Sequence, residues 1–270
     1  FFGWIEGTEL ECYDAWTALA LLAPQTERIR LGTLVTSQSY RNPAILAKIV
    51  SNIDNASGGR VDLGIGAGWK QVEYEAYGYK YPSGKTRVRQ LQEAIQIINL
   101  LWTEERPSFQ GEFYSIKEAM FLPKPLQKPR VPIWVGSETP KAPMMEETAA
   151  RYADGMDYIK GTITDFEQKK ERVRKKCEEI GRDFDELKWS TGSNVAVIGE
   201  DEDDFENRKR AVVKEEWPHK VFSPEIKEKY IDAGCKKDIA GTPEDIIEKL
   251  RPYKDLVDVF HIGLPFVGDI

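Results

Sequence analysis

The chain is poor in the residues that cross-link proteins or bind metals. Its 270 residues include three cysteines, Cys12, Cys177 and Cys235. They are odd in number, widely spaced and form no Cys-x-x-Cys, which argues against a disulfide framework or a zinc site. A reducing cytosol suits them best. Histidine is scarcer still, at two residues, His219 and His261. They stand far apart without ligand spacing, so no metal site is expected and a structural role is favoured for each. His261 remains a minor candidate because it ends the last expected strand. The longest apolar run, residues 18–23, is far too short to cross a bilayer. Positive charge is short as well: 38 Lys and Arg face 45 Asp and Glu, a net charge of -7. Nucleic acid would demand a basic face. Neither a nucleic acid nor a membrane is therefore an expected partner. The basic run 169–176 is interrupted and flanked by acids, and reads as a solvated helix face.

What is present is the rhythm of a parallel α/β protein. Hydrophobic residues make up 41% and charged residues 31%, which suits one large α/β domain or two small ones. Residues 14–23 have helical composition. A strand is expected over 28–36, and Asn42-Pro43 starts a helix that the glycines at 58 and 59 end. A second strand over 60–67 leaves through Gly64, Gly66 and Gly68. In such folds function gathers at the carboxyl ends of the strands. There, glycines let the backbone approach a flat or phosphorylated ligand, or simply supply a turn with positive φ. Residues 84–102 form a long helix, with Val88, Leu91, Ala94, Ile95, Ile98 and Leu101 at helical spacing. Residues 103–130 break the rhythm and read as an insertion with a hairpin at 109–114. Further strands are expected at 131–135, 156–159, 189–198 and 257–262. Helices are expected at 144–152, 165–180 and 201–216. Thr242, Pro243 and Glu244 form another helix start. An open doubly wound sheet and a closed barrel both fit this count.

Several ordered stretches decide between them. Residues 26–33, 41–48, 57–60, 63–69, 132–136 and 241–244 together resemble the luciferase-like flavin and deazaflavin oxidoreductase superfamily. The resemblance keeps the family's order and spacing along nearly the whole chain. Gly66-Ala67-Gly68-Trp69 is more similar to the branch using coenzyme F-420 than to the alkanesulfonate monooxygenases. The implied fold is a TIM (β/α)8 barrel, one domain over residues 1–270 with the insertion at 103–130. On that pattern the chain lacks its first β/α unit and its last helix, and an upstream segment is expected before Phe1.

The resemblance also implies roles by position. Leu34-Val35 falls at a non-prolyl cis peptide that backs the cofactor ring, with ordinary barrel core as the alternative. Gly66, Ala67 and Gly68 fall beside the cofactor tail, with Trp69 at the pocket wall. Gly136 and Ser137 fall in the exit loop that binds its phosphate; the alternative is a simple helix cap. Trp4 aligns with an active-site aromatic of the deazaflavin-dependent sugar-phosphate dehydrogenases. The histidine those enzymes carry four residues earlier would precede Phe1. Trp69 stands where they carry an acid, which weakens a sugar-phosphate substrate. Glu73 is the nearby candidate catalytic acid, although carboxylates at a helix start more often face solvent. The expected activity is hydride transfer between coenzyme F-420 and a small organic substrate. The alternatives are an FMN-dependent monooxygenase and a non-catalytic flavin-binding relative. A cytoplasmic homodimer is implied, with Trp16 and residues 19–22 on a helix apolar enough to contribute.

Overall fold

In the computed structural model, residues 13–159, 162–193, 196–214 and 239–262 are described. They group into two compact units, 13–159 with 165–188, and 162–164 with 189–193, 196–214 and 239–262.

The first unit carries a parallel sheet. Helix α1 (Ala15–Leu22) starts at Asp14, whose carboxylate accepts the Thr17 amide. Two short strands follow, β1 (Leu31–Gly32) and β2 (Thr36–Ser37). The single strand expected over 28–36 is therefore split, and the Leu34–Val35 peptide between the two pieces is cis, as the resemblance implied. Helix α2 (Pro43–Ser57) begins at Asn42, whose side chain caps Ala44 N–H, and ends at Gly58 in the left-handed region. Strand β3 (Val61–Gly66) pairs in parallel with β1, with β2 and with β6 (Ile133–Ser137). Strand β6 pairs in turn with β7 (Gly155–Tyr158). Gly136 and Ser137 belong to the end of β6, opposite Asp157 and Tyr158, rather than to the exit loop expected there. Pairing on this side extends the ladder two residues further than the apolar run suggests.

Helices α3 (Gln71–Ala76), α4 (Gly84–Thr103), α5 (Pro143–Tyr152) and α6 (Ile163–Ile180) follow these strands. All six residues expected on the inner face of α4 are buried. The insertion does contain a hairpin, β4 (Phe109–Gln110) with β5 (Ser115–Ile116). Two carboxylates from the helices hold it. Glu93 accepts the amides of Glu112, Phe113 and Tyr114 at 2.8, 2.8 and 3.0 Å. Asp54, fully buried, accepts Leu126 and Gln127 amides. Each carboxylate thus ties several consecutive or neighbouring loop amides to a helix.

In the second unit, β8 (Lys188–Ser193) pairs in parallel with β11 (Val259–Ile262), and β9 (Ala196–Ile198) with β10 (Ile239–Gly241). The strand expected over 189–198 thus becomes two. Helix α7 (Glu202–Lys214) follows β9, and α8 (Pro243–Leu250) follows β10. Thr242 and Asp245 form a reciprocal capping box at the start of α8. Among the described residues, no helix is long and apolar enough to cross a membrane.

Candidate active site

The candidate site residues of the first unit lie between β1 and β2 (Leu34 and Val35), at and beyond the carboxyl ends of β3 and β6 (Gly66 to Trp69, Gly136 and Ser137), and on α3 (Glu73). Their arrangement centres on Val35. A Cβ on Gly66 would stand 2.8 Å from Val35 Cγ2, and one on Gly136 would stand 2.6 Å from Val35 Cγ1. The Val35 side chain therefore fills the room over two neighbouring strands, and only glycine fits beneath it. Gly64 makes the same point one pleat earlier: a Cβ there would meet the Thr33 carbonyl at 1.9 Å, and Thr33 Oγ1 donates to the Gly64 carbonyl at 2.7 Å. Gly64 and Gly66 thus serve close approach to segment 33–35. Only Gly68 of the three has a positive φ, at 78°. With Val35 turned inward, Leu34 is left 46% exposed.

Beyond Gly66 the chain passes through Ala67, Gly68 and Trp69. The Gly68 carbonyl accepts Arg87 Nε at 3.1 Å, and the Trp69 carbonyl accepts the Tyr81 hydroxyl at 2.7 Å. The Arg87 guanidinium lies 4.1 Å over the Tyr81 ring. Tyr74 is buried; its hydroxyl shares a 3.0 Å hydrogen bond with Ser37 and occupies the space a Gly68 side chain would need. Tyr40, Tyr74, Tyr79 and Tyr81 pack in tilted and edge-on pairs at centroid distances of 5.0–6.4 Å. The indole of Trp69 remains 50% exposed.

Glu73 is buried, contrary to the surface placement usual for such a carboxylate, because α3 turns its first turn toward this aromatic cluster. Its Oε2 accepts the Tyr40 hydroxyl at 2.8 Å. Burial, and then the Glu73 carboxylate, push the Tyr40 hydroxyl above its ordinary pKa, so its proton is held firmly.

A second group stands behind the end of β6. Lys169 on α6 is fully buried, so the solvated face expected for run 169–176 does not include it. Lys169 lies on the inward stripe with Phe166, Val173 and Cys177, which are all buried. That stripe was readable from the spacing of Phe166, Val173 and Cys177, but the dense charge of the helix concealed it. Lys169 Nζ donates to the Thr139 carbonyl at 2.8 Å and lies 3.6 Å from Glu146 Oε1. It also sits 4.5 Å over the Tyr158 ring. Burial, only partly offset by Glu146, pushes the Lys169 ammonium down to about 8. Glu146 is also buried, yet the bonds from Arg172 and the Ala142 amide hold it below the usual carboxylate range. None of Tyr40, Tyr74, Glu146, Lys169 or Arg172 was singled out from sequence.

The remaining candidates lie elsewhere. Trp4 and His219 fall outside the described residues. His261 sits on β11 of the second unit, against Gly192. Trp16, expected to help an interface, is 1% exposed and belongs to the core; Leu21 and Leu22 are the large apolar residues of α1 that are exposed.

The sequence profile of luciferase-like monooxygenases matches residues 2–258. The chain belongs to this family. This luciferase-like chain is 27% identical over 253 residues to an F420-dependent glucose-6-phosphate dehydrogenase of Amycolatopsis mediterranei, covering 89% of the chain and 74% of that protein. Among solved structures it resembles monooxygenase RslO1 from Streptomyces bottropensis, with a TM-score of 0.76 and 22% identity over 94% of this chain and 76% of that one. It also resembles the coenzyme F420-dependent tetrahydromethanopterin reductase from Methanopyrus kandleri, with a TM-score of 0.72 and 20% identity over 93% and 82%. These likenesses show the fold, an α/β protein of the luciferase-like TIM-barrel type.

Proposed function

We propose that this luciferase-like oxidoreductase transfers hydride between coenzyme F-420 and a small organic substrate, as one barrel domain. The observation that carries the reading is the packing of Val35 over Gly66 and Gly136. It turns Leu34 outward at the ends of the strands, and Trp69 is exposed there too, so apolar surface is left open where such folds bind ligands. A flat apolar ring fits that surface. Ser137 and the backbone at the start of α5 suit an anionic tail, because a helix N-terminus carries partial positive charge. The 27% identity to an F420-dependent dehydrogenase supports the choice of cofactor.

When bound, the deazaflavin supplies a carbon that accepts or donates hydride. The chain's residues do the rest. Leu34 and Val35 back the ring, Gly66, Ala67, Gly68 and Trp69 line its tail, and Gly136 and Ser137 face its phosphate. The Tyr40–Glu73 pair holds a proton at the Tyr40 hydroxyl and keeps α3 against the loop. Glu73, being buried, acts through Tyr40. Trp4 remains the proposed active-site aromatic. Trp69, in place of an acid, favours a less charged substrate than a sugar phosphate. A cytoplasmic homodimer completes the proposal.

Titration of the purified protein with each cofactor, followed by absorbance and tryptophan quenching, tests this reading. Tight binding of coenzyme F-420, and reduction of it without oxygen consumption, is the expected result. Binding of FMN with no binding of the deazaflavin overturns it in favour of a flavin monooxygenase. Binding of F-420 without turnover of any alcohol, aldehyde or sugar tested points to a non-catalytic relative.

A further inference from the structure

The loop between β6 and α5 is held from behind by three charged side chains that no step of the proposed reaction uses. Lys169 Nζ takes the carbonyl of Thr139 at 2.8 Å. Arg172 Nη2 takes the carbonyl of Pro140 at 2.5 Å. Glu146 Oε1 takes the amide of Ala142 at 3.3 Å. The three are joined to one another. Arg172 bonds Glu146 Oε1 through Nε at 3.0 Å and Nη2 at 2.8 Å, and Lys169 lies 3.6 Å from the same oxygen. Glu146 Oε2 is buried and takes no hydrogen bond among the described residues, so Oε1 alone joins the loop amide and both cations. Three backbone groups within four residues are thus fixed by one buried network.

We infer that Lys169, Glu146 and Arg172 are positioning residues that set the conformation of loop 138–142, and through it the affinity for the phosphate-bearing tail of the cofactor. The inference rests on the proposed cofactor reading for its ligand, and on the geometry above for the loop. Burying a lysine is costly. A solvated helix with this much charge could have presented a leucine at position 169. The buried ammonium instead reaches a loop carbonyl, and the cluster of two cations and one anion keeps a net positive charge behind that loop. With the Ala142 amide taken by Glu146 and no N–H on Pro140, carbonyls turned toward the cations leave the amides of Thr139 and Lys141 among those the loop can present to an anion.

The arrangement is also sensitive to pH. The groups around Lys169 are Glu146 on α5, Tyr158 on β7 and Arg172 on its own helix. Burial pushes Tyr158 above its ordinary pKa and Glu146 is held below the usual carboxylate range, whereas burial pushes Lys169 down to about 8, so Lys169 is the member of these three that changes state there. Its neutral amine is a weaker donor and loses the attraction to Glu146.

The test compares coenzyme F-420 with its riboside, which lacks the phosphate tail, on wild type, Lys169→Met, Arg172→Gln and Arg172→Lys. Backbone hydrogen exchange of residues 138–142 is measured without any cofactor. Wild type should prefer F-420 to the riboside. Lys169→Met, which leaves Glu146 paired to Arg172, should weaken F-420 binding about tenfold, the loss of roughly one charge-assisted hydrogen bond. Riboside binding should change less than about twofold, since its contacts lie elsewhere. Loop exchange should quicken. Arg172→Gln, at a partly exposed side chain, should act the same way, and Arg172→Lys should restore most of the loss. The wild-type preference for F-420 should fall as pH rises through about 8, and the Lys169→Met profile should be flat there. Equal losses for F-420 and riboside, or an unchanged F-420 affinity with unchanged loop exchange, overturn the inference. If wild type shows no preference for F-420, the cofactor reading fails by itself. Loop exchange then still decides whether the cluster holds the loop.

Discussion

Two loops leave the carboxyl ends of neighbouring strands in this protein, and they are held by opposite means. The loop after β3, residues 67–70, is wrapped by rings and hydroxyls: Tyr74 against Gly68, Tyr81 on the Trp69 carbonyl, and an arginine stacked on a tyrosine. The loop after β6, residues 138–142, is held by a buried cluster of charges. The first also carries charge, Arg87 on the Gly68 carbonyl, Lys70 over the Trp69 ring and the buried Glu73 beside Tyr40, but rings and hydroxyls make most of its contacts. The second depends on a lysine that titrates near pH 8. On the proposed reading the first loop lines the cofactor's tail and the second faces its phosphate, which is a reason to build them differently. Aromatic packing is insensitive to pH and salt, whereas buried charge projects a field toward an anion.

The contrast breaks most readily at Glu146. Replacing it with Ala strands the fully buried Lys169 beside Arg172 without a counter-charge. Unfolding by denaturant should show a loss of about 3–5 kcal/mol, the usual cost of removing one partner of a buried pair. A loss below about 1 kcal/mol would mean that the cluster contributes little to holding the chain together. The next effect belongs to the shared floor of both loops. Gly66→Ala sets a Cβ 2.8 Å from Val35, and overpacking of this kind costs about 1–3 kcal/mol. Val35→Ala in the same chain should recover part of that loss, and a double-mutant cycle with no coupling would show that the two residues do not compete for space. The smallest effect should come from the aromatic side. Tyr74→Phe removes one hydroxyl shared with Ser37 and should cost about 1 kcal/mol, equally at pH 7 and pH 9. A cost that changes across that interval would tie Tyr74 to a titrating neighbour and erase the distinction between the two loops.

Much of the fold was legible in the sequence for a simple reason. Residues that cap, stop and line elements act on near neighbours. Asn42, Gly58 and Thr242 end or begin helices as expected, and the inner face of α4 is the one its period announces. The ordered family stretches located Leu34-Val35 and the glycine exit before any geometry was known. The site was legible only as a set of positions. Gly64 and Gly66 read as ligand-facing glycines, yet Thr33 and Val35 occupy the space above them. Glu73 read as a surface acid or a catalytic one, and it is buried under Tyr40. Gly136 and Ser137 read as loop and are strand. Each difference involves a partner some 25 to 100 residues away, or a register set by a neighbouring strand.

The sequence by itself determined the class of the protein, because alternating strand and helix periods, capping residues and family stretches are local, and local patterns survive without contacts. Its composition also set the expectation that neither a disulfide framework nor a broad basic face organises this chain. Tertiary structure alone decided which of many similar residues carry weight. Run 169–176 has six basic residues, and helical phase selected Lys169 to point inward, where Glu146 and the Thr139 carbonyl compensate for its burial. Charge written in a sequence has no depth. Only packing sets the dielectric around each ammonium, and that separates a solvated lysine from one that can hold a loop.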